Sequence, residues 1–309
     1  MTAEFVECVP NFSEGRRRDI VEAVVAAARE VTGVRVLDVH SDETHNRSVL
    51  TYAAPPDAAL AAAFAVTREA VRRIDLRDHH GAHLRMGALD VFPFVPLGSA
   101  PMARCVELAH ALGERVASDL DVPVYFYEDA AVRPERRRLE KVRRGGFEDL
   151  RDKIGLDPAY APDLGPRRVH PTAGAIAIGA RQVLVAFNVY LATRDVEVAR
   201  HVARRVRASS GGPRGVKALG LEVGRAGETQ VSMNLTDTRG GAIVAVMDLI
   251  RAEAARHGVA VARSEVVGML PLDALFDAAA AFLQLDAFTP ERILERRLWN
   301  DGPAADERA

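Results

Sequence analysis

Three histidines, one arginine and two glycines fall within the twelve residues HHGAHLRMGALD at 79–90, and these are residue types that do chemistry. A neutral imidazole with an ordinary pKa near 6.5 can take or return a proton at neutral pH. His79 and His83 stand four apart, a spacing that on a helix would place two metal ligands on one face, with Asp38 or Asp90 as a carboxylate. Gly81 lies between them and argues against a helix, since glycine costs roughly 1 kcal/mol relative to alanine there. The stretch reads instead as a loop held between ordered elements, the usual place for binding and catalytic groups. Its histidines admit three readings: a general base, a metal pair, or solvated side chains. From the residues alone the last is the commonest.

Other residues face the same choice. Arg85 carries a planar fork suited to a carboxylate, or to a surface ion pair. Asn46 and Arg47 sit in the polar stretch 42–47, where they serve a ligand or a turn. Asn11, Ser13 and Glu14 follow Pro10, and either start a helix or face a substrate. The glycine-bearing stretches 174–179 and 211–215 lack the spacing of dinucleotide and P-loop signatures, so close backbone approach is the better use for them. Arg167, Arg168, Arg214 and Lys217 flank these stretches, where they meet an anionic tail or solvent.

The elements that must position these residues follow from periodicity. A strand at 5–9 leads to a helix whose Ile20, Val21, Val24, Val25 and Ala28 share one face. Two β-branched runs, 34–39 and 48–53, make a hairpin. A helix carrying Leu60, Phe64, Thr67, Val71 and Ile74 precedes the loop, and a strand at 88–95 follows it, with Pro93 placing its end at an edge or bulge. This order is the split βαβ unit, in which two helices cover one face of a four-stranded antiparallel sheet. A helix at 102–120, a strand at 122–127 and a charged helix at 133–144 extend it. Four prolines between 158 and 171 mark the expected domain boundary. Strands at 183–191, 216–223, 229–235 and 259–267, with helices at 196–206 and 242–257, then repeat the order, and helices at 271–283 and 290–299 close the chain. The predicted class is α+β, an α/β sandwich of two ferredoxin-like βαββαβ subdomains, 1–170 and 171–303, with sheets facing a central cleft and a tail at 304–309.

The 309 residues carry a formal net charge of -2 without a concentrated basic stripe, which gives no electrostatic reason to expect nucleic acid. Cys8 and Cys105 lie far apart and outside any CxxC pattern, which fits a reducing compartment rather than a disulfide or thiolate site. No uncharged run reaches about 18 residues, so no membrane span is expected and the predicted location is cytoplasmic.

Several stretches together are similar to glutamate formimidoyltransferase, the transferase half of formiminotransferase-cyclodeaminase. They are VECVPNFSEG at 6–15, HNRSV at 45–49, the pattern ID-x3-H-x-G-x-H-x-RMGALDV at 74–91, VPVYFYE at 122–128, GARQVLVAFNVYL at 179–191, VSMNL at 231–235 and VVGMLPLDAL at 266–275. The resemblance implies transfer of a formimino group from N-formimino-L-glutamate to tetrahydrofolate as co-substrate. It also implies a homodimer and folate bound in a cleft between two ferredoxin-like subdomains. The match leaves no segment for a cyclodeaminase domain in this chain, and with no further His, Asp or Glu cluster to supply a third ligand no metal is expected. His83 falls on the catalytic base and His79 on its companion, whereas His80 matches a variable position. Arg85, Asn46, Arg47, Asn11 and Asp38 become the substrate set. Folate contacts fall on Gly165, Pro166, Arg167, Arg168 and Gly174, and on Arg214, Lys217 and Gly220. Where the family carries Glu-His-Pro-Arg, this chain has Ala82-His83-Leu84-Arg85, which removes a fixed φ and a carboxylate beside the base. A related formyl transferase and a metal-dependent amidohydrolase using His79 and His83 are the alternatives; a folate-binding protein without turnover is a third.

Overall fold

The computed structural model describes residues 4–81, 84–223, 227–238 and 241–300. Ala82 and His83 lie outside the described residues. The chain divides into two compact units, 1–182 and 183–309. Among the described residues no helix is long and apolar enough to cross a membrane.

The first unit runs β1 (Glu4–Cys8), β2 (Asn11–Phe12), α1 (Arg18–Arg29), β3 (Arg35–Asp42), β4 (Arg47–Ala54), α2 (Pro56–Arg73), β5 (Leu89–Gly98), α3 (Met102–Leu120), β6 (Val124–Glu128), α4 (Leu139–Val142), α5 (Gly146–Lys153) and β7 (Ile176–Ala180). β1 and β2 act as one strand interrupted at Pro10: both pair antiparallel with β4 on one side and β5 on the other. β3 adds outside β4 as the predicted hairpin. On the far side β7 pairs parallel with β5 and with β6. The resulting order is β3-β4-β1/β2-β5-β7-β6.

Apolar spacing explains which face the helices take. Ile20, Val21, Val24, Val25 and Ala28 of α1 are buried together, as are Ala59, Ala62, Ala63, Phe64 and Ala70 of α2 and the Cys105, Leu108, Leu112 and Val116 row of α3. They pack on Val6, Cys8, Leu50, Tyr52, Phe92, Phe94, Phe126 and Ile178 from one face of the sheet. A smaller cluster on the other face places Leu150 and Ile154 beside Val91, Tyr125, Tyr127 and Ala177.

Three expectations need correction here. Pro93 lies inside β5, a central strand, because it sits where the neighbouring strand is interrupted; its carbonyl still accepts from Val9 N at 3.4 Å. The charged run at 133–144 is not one helix but a short 3-10 turn, Pro134–Arg137, followed by the four-residue α4. The units divide after Gln182 rather than at 170/171, because β7 is hydrogen bonded between β5 and β6. The prolines at 158–171 punctuate the segment that brings the chain back to that slot.

The second unit comprises β8 (Val185–Leu191), α6 (Val196–Val206), β9 (Val216–Glu222), β10 (Thr229–Leu235), α7 (Ala242–Ala255), β11 (Val261–Val267), α8 (Leu272–Phe282) and α9 (Leu294–Asn300). Its sheet is antiparallel throughout, in the order β11-β8-β10-β9. Val198, Val202 and Val206 of α6, with Val246 and Ile250 of α7, bury the alternate residues Val185, Phe187, Val189 and Leu191 of β8. The period of two in those strand residues is what assigns them to one face.

Candidate functional site

The 79–90 loop is tied to the β3–β4 turn by its first residues. His79 is buried, and its Nε2–H donates to the carbonyl of Asn46 at 2.8 Å. The carbonyl can only accept, so the imidazole carries its proton on Nε2 and a lone pair on Nδ1. That Nδ1 is buried and makes no hydrogen bond. Burial pushes the His79 pKa below the ordinary 6.5; the Asn46 carbonyl opposes the shift, and the Arg85 charge adds to it. His79 is therefore a neutral proton acceptor near pH 7.

Asn46 holds the other side. It adopts a left-handed φ of 48°, a conformation that asparagine tolerates better than most residues. Its Oδ1 accepts from Gly15 N at 3.0 Å, and its Nδ2 donates to the carbonyl of the exposed His80 at 3.2 Å. Gly81 comes so close to this turn that a Cβ would stand 2.2 Å from the His45 carbonyl oxygen. The turn is braced by Asp42, which accepts from His45 N at 2.9 Å and meets His45 Nδ1 at 2.6 Å. Those contacts lower the Asp42 pKa, the His45 N–H most of all.

Arg47 donates to Asn11 Oδ1. Burial lowers the Arg47 pKa; Asp90 opposes that shift and Arg143 adds to it. Val49 pairs with both Asn11 and His40, and Thr51 pairs with Asp38, while the intervening Leu50 and Tyr52 point into the helix-covered core. Asn11, Asp38 and Arg47 consequently share the sheet face opposite α1–α3. Asp38 stands further along β3, away from the Arg47–Asn11 contact.

Arg85 points back into the loop rather than out to solvent. One guanidinium nitrogen donates to the His79 carbonyl at 3.2 Å and to Glu148 at 2.9 Å, and Nε is buried without a partner. A cavity of about 440 Å³ is lined by His79, His80, Arg85, Phe147, Val169 and Pro171, among others. It thus joins the histidine loop to part of the 165–174 stretch. Gly174 faces the same loop: it bridges Gly87, and its φ of 70° and a 2.4 Å approach to the Met86 oxygen leave no room for a side chain. Gly165, Pro166, Arg167 and Arg168 lie further off, at the α3–β6 turn, where Arg168 pairs with Asp121.

The second unit's residues separate by face. Lys217 and the neighbouring Arg214 are exposed. Gly220 instead lies under α6, where a Cβ would meet Arg200 N at 2.3 Å, so its packing against the helix already explains it. Residues 79–81 are not helical, so the paired-ligand spacing of a helix face is not formed by them. Asp90, considered as a ligand, is instead spent on Met86 N and Arg143. Among the described residues no group of three or more His, Cys, Asp or Glu could hold a metal ion. The sequence reading passed over Arg143 and Glu148; the only signals were the cations and the Gly145-Gly146 pair in a charged run.

Comparison with known proteins covers both units. A family model described as formiminotransferase domain, N-terminal subdomain, matches residues 5–181, and one described as formiminotransferase domain matches 186–293. A glutamate formimidoyltransferase of Streptococcus pyogenes serotype M1 is 43% identical over 297 residues, 96% of this chain and 99% of that one. A protein of the same description from Thermoplasma acidophilum is 45% identical over 295 residues, 95% of this chain and 97% of its own. Formimidoyltransferase-cyclodeaminase of Rattus norvegicus is 36% identical over 332 residues, 97% of this chain but 61% of the longer protein.

Proposed function

This chain belongs to the formiminotransferase family, and from that membership we propose that it acts as a glutamate formimidoyltransferase. It moves the formimino group of N-formimino-L-glutamate to tetrahydrofolate, giving 5-formimino-tetrahydrofolate and glutamate. The observation that carries this reading is a match running through both units of the chain to transferases of nearly the same length. Tetrahydrofolate is a co-substrate here, and the chemistry calls on no metal.

The reaction sets the demands on the site. The N5 amine of the folate attacks the amidine carbon and becomes cationic. Unless that proton leaves, the intermediate returns to reactants. His83 takes it as general base; the same proton then goes to the departing glutamate nitrogen as the old C–N bond breaks. His79 stands in support: locked in the Nε2–H form by Asn46, it lines the cavity as a neutral ring whose lone pair is on the buried Nδ1. Arg47 and Arg85 supply positive charge for the donor's carboxylates, with Asn11 and Asn46 beside them, and Asp38 completes the substrate set from further along the same sheet face. Val169 and Pro171 share the cavity with His79 and Arg85, which supports the later part of the 165–174 stretch, rather than Gly165 to Arg168, as a folate contact. The strand orders β3-β4-β1/β2-β5 and β11-β8-β10-β9 support a ferredoxin-like reading of each unit. A homodimer is the accompanying family expectation, and the cytoplasm is the location expected from the sequence.

Ala82 and Leu84 flank the base, so the donor is the point to test. Tetrahydrofolate is incubated with the protein and either N-formimino- or N-formyl-L-glutamate. Transfer from the formimino donor at a kcat/KM at least about tenfold higher is expected. A preference for the formyl donor would reverse the assignment.

A further inference from the structure

The α4–α5 connection together with the start of α5, residues 143–147, grips the loop just after His83. Arg143 donates to the carbonyl of Leu84, and Phe147 N donates to the carbonyl of Arg85 at 2.7 Å. Gly146, at a φ of 68°, lies so near that a Cβ would stand 2.7 Å from Leu84 Cδ1 and 3.2 Å from the Arg85 oxygen. The Arg143 nitrogen that bonds Leu84 also reaches Asp90 Oδ2 at 2.6 Å. Asp90 is fully buried at the irregularity where β5 meets β2, and its Oδ1 accepts from Met86 N at 2.8 Å.

One guanidinium thus joins the start of the 84–90 limb to its end, and one carboxylate ties down the middle. We infer that Arg143 and Asp90 are a positioning pair for the transfer reaction, setting the limb that carries Arg85 and follows directly on His83. The inference rests on the proposed role of the His83 loop. Neither residue is assigned a contact with reacting atoms. Their importance comes from the tolerance of the chemistry, because a displacement of about 1 Å in a catalytic group costs on the order of 10²-fold in rate.

The test compares Arg143→Met, Asp90→Asn, the double variant, Arg143→Lys and His83→Ala, with kcat and KM expressed per folded enzyme. Removing one partner of a buried pair leaves an uncompensated charge, so either single variant risks unfolding; the double variant removes both charges. The double variant is expected to melt cooperatively and to lose about 10- to 100-fold in kcat, with KM for both substrates changed less than about threefold. Arg143→Lys keeps the charge on a shorter, unforked side chain and should recover part of the loss. If the double variant does not fold, the Lys variant decides: a normal melt with lowered kcat supports the pair. A kcat within about twofold of wild type in the folded variant, alongside an inactive His83→Ala, overturns the positioning pair and leaves the base intact. Loss confined to KM overturns it too, since it would put Arg143 on the substrate. An active His83→Ala removes the reading on which the pair depends.

Discussion

Burial fixes the state of His79 before any substrate arrives. Its Nε2–H is committed to the Asn46 carbonyl, and its pKa lies below the ordinary 6.5 because the charged form would lose solvation. The sign of the stability effect follows. As pH falls below 6.5, the unfolded chain binds a proton at this histidine before the folded chain does, so folded stability is lost; above 6.5 both states are neutral and the contribution is flat. Wild-type Tm should therefore drop more steeply between pH 6.5 and 5 than that of His79→Gln. Equal slopes would show that His79 does not titrate differently on folding. The same residue shows how far sequence reading reaches. The residue types of the loop singled it out, and the family pattern distinguished His79 from His80. Nothing in the sequence indicated which nitrogen would carry the proton, since that depends on a backbone carbonyl 33 positions away. Arg85 was legible as a cation near the base, but not its commitment to Glu148, which comes from α5.

The loop as an element is defined by what its glycines allow. Gly81 meets the His45 carbonyl, and Gly87 comes within 1.9 Å of the Ala175 oxygen if a Cβ is added. Both obstacles are backbone atoms, which cannot rotate aside. Gly81→Ala should cost about 1–3 kcal/mol of stability or displace the loop from the hairpin turn. It should reduce kcat/KM by at least about tenfold, the size expected when a catalytic group shifts. Denaturant unfolding combined with steady-state rates would check this, and wild-type values in both would show that the loop does not depend on the close approach. The glycines were visible as helix breakers, whereas the partner surfaces were not. Long helices and the hairpin were legible because apolar periods of 3.6 and 2 run through them. α4 and α5 are short and charge-rich, so they carry little such signal. Pro93 misled for a different reason: proline disfavours a central strand only where its N–H would be needed, and Pro10 interrupts the neighbour at that level.

Across the whole molecule, element order was the most legible feature. Each unit contains four strands in the same relative arrangement, the third strand lying between the first and second and the fourth outside the first. Periodicity alone gave the alternation of strands and helices that underlies this. The division between units was less legible, because prolines mark tight turns within a unit as readily as linkers between units. β7 also carries alanine and glycine in a short buried run, IAIGA, which resembles a linker as much as a strand. The family assignment rests on both units, since the match extends through 5–181 and 186–293. The most direct measurement follows 5-formimino-tetrahydrofolate in mixtures of the purified protein, N-formimino-L-glutamate and tetrahydrofolate, with wild type and His83→Ala side by side. The account predicts wild-type turnover that requires both substrates and falls about 10²–10⁴-fold in the variant near neutral pH. Absence of turnover in wild-type protein that binds folate would contradict it.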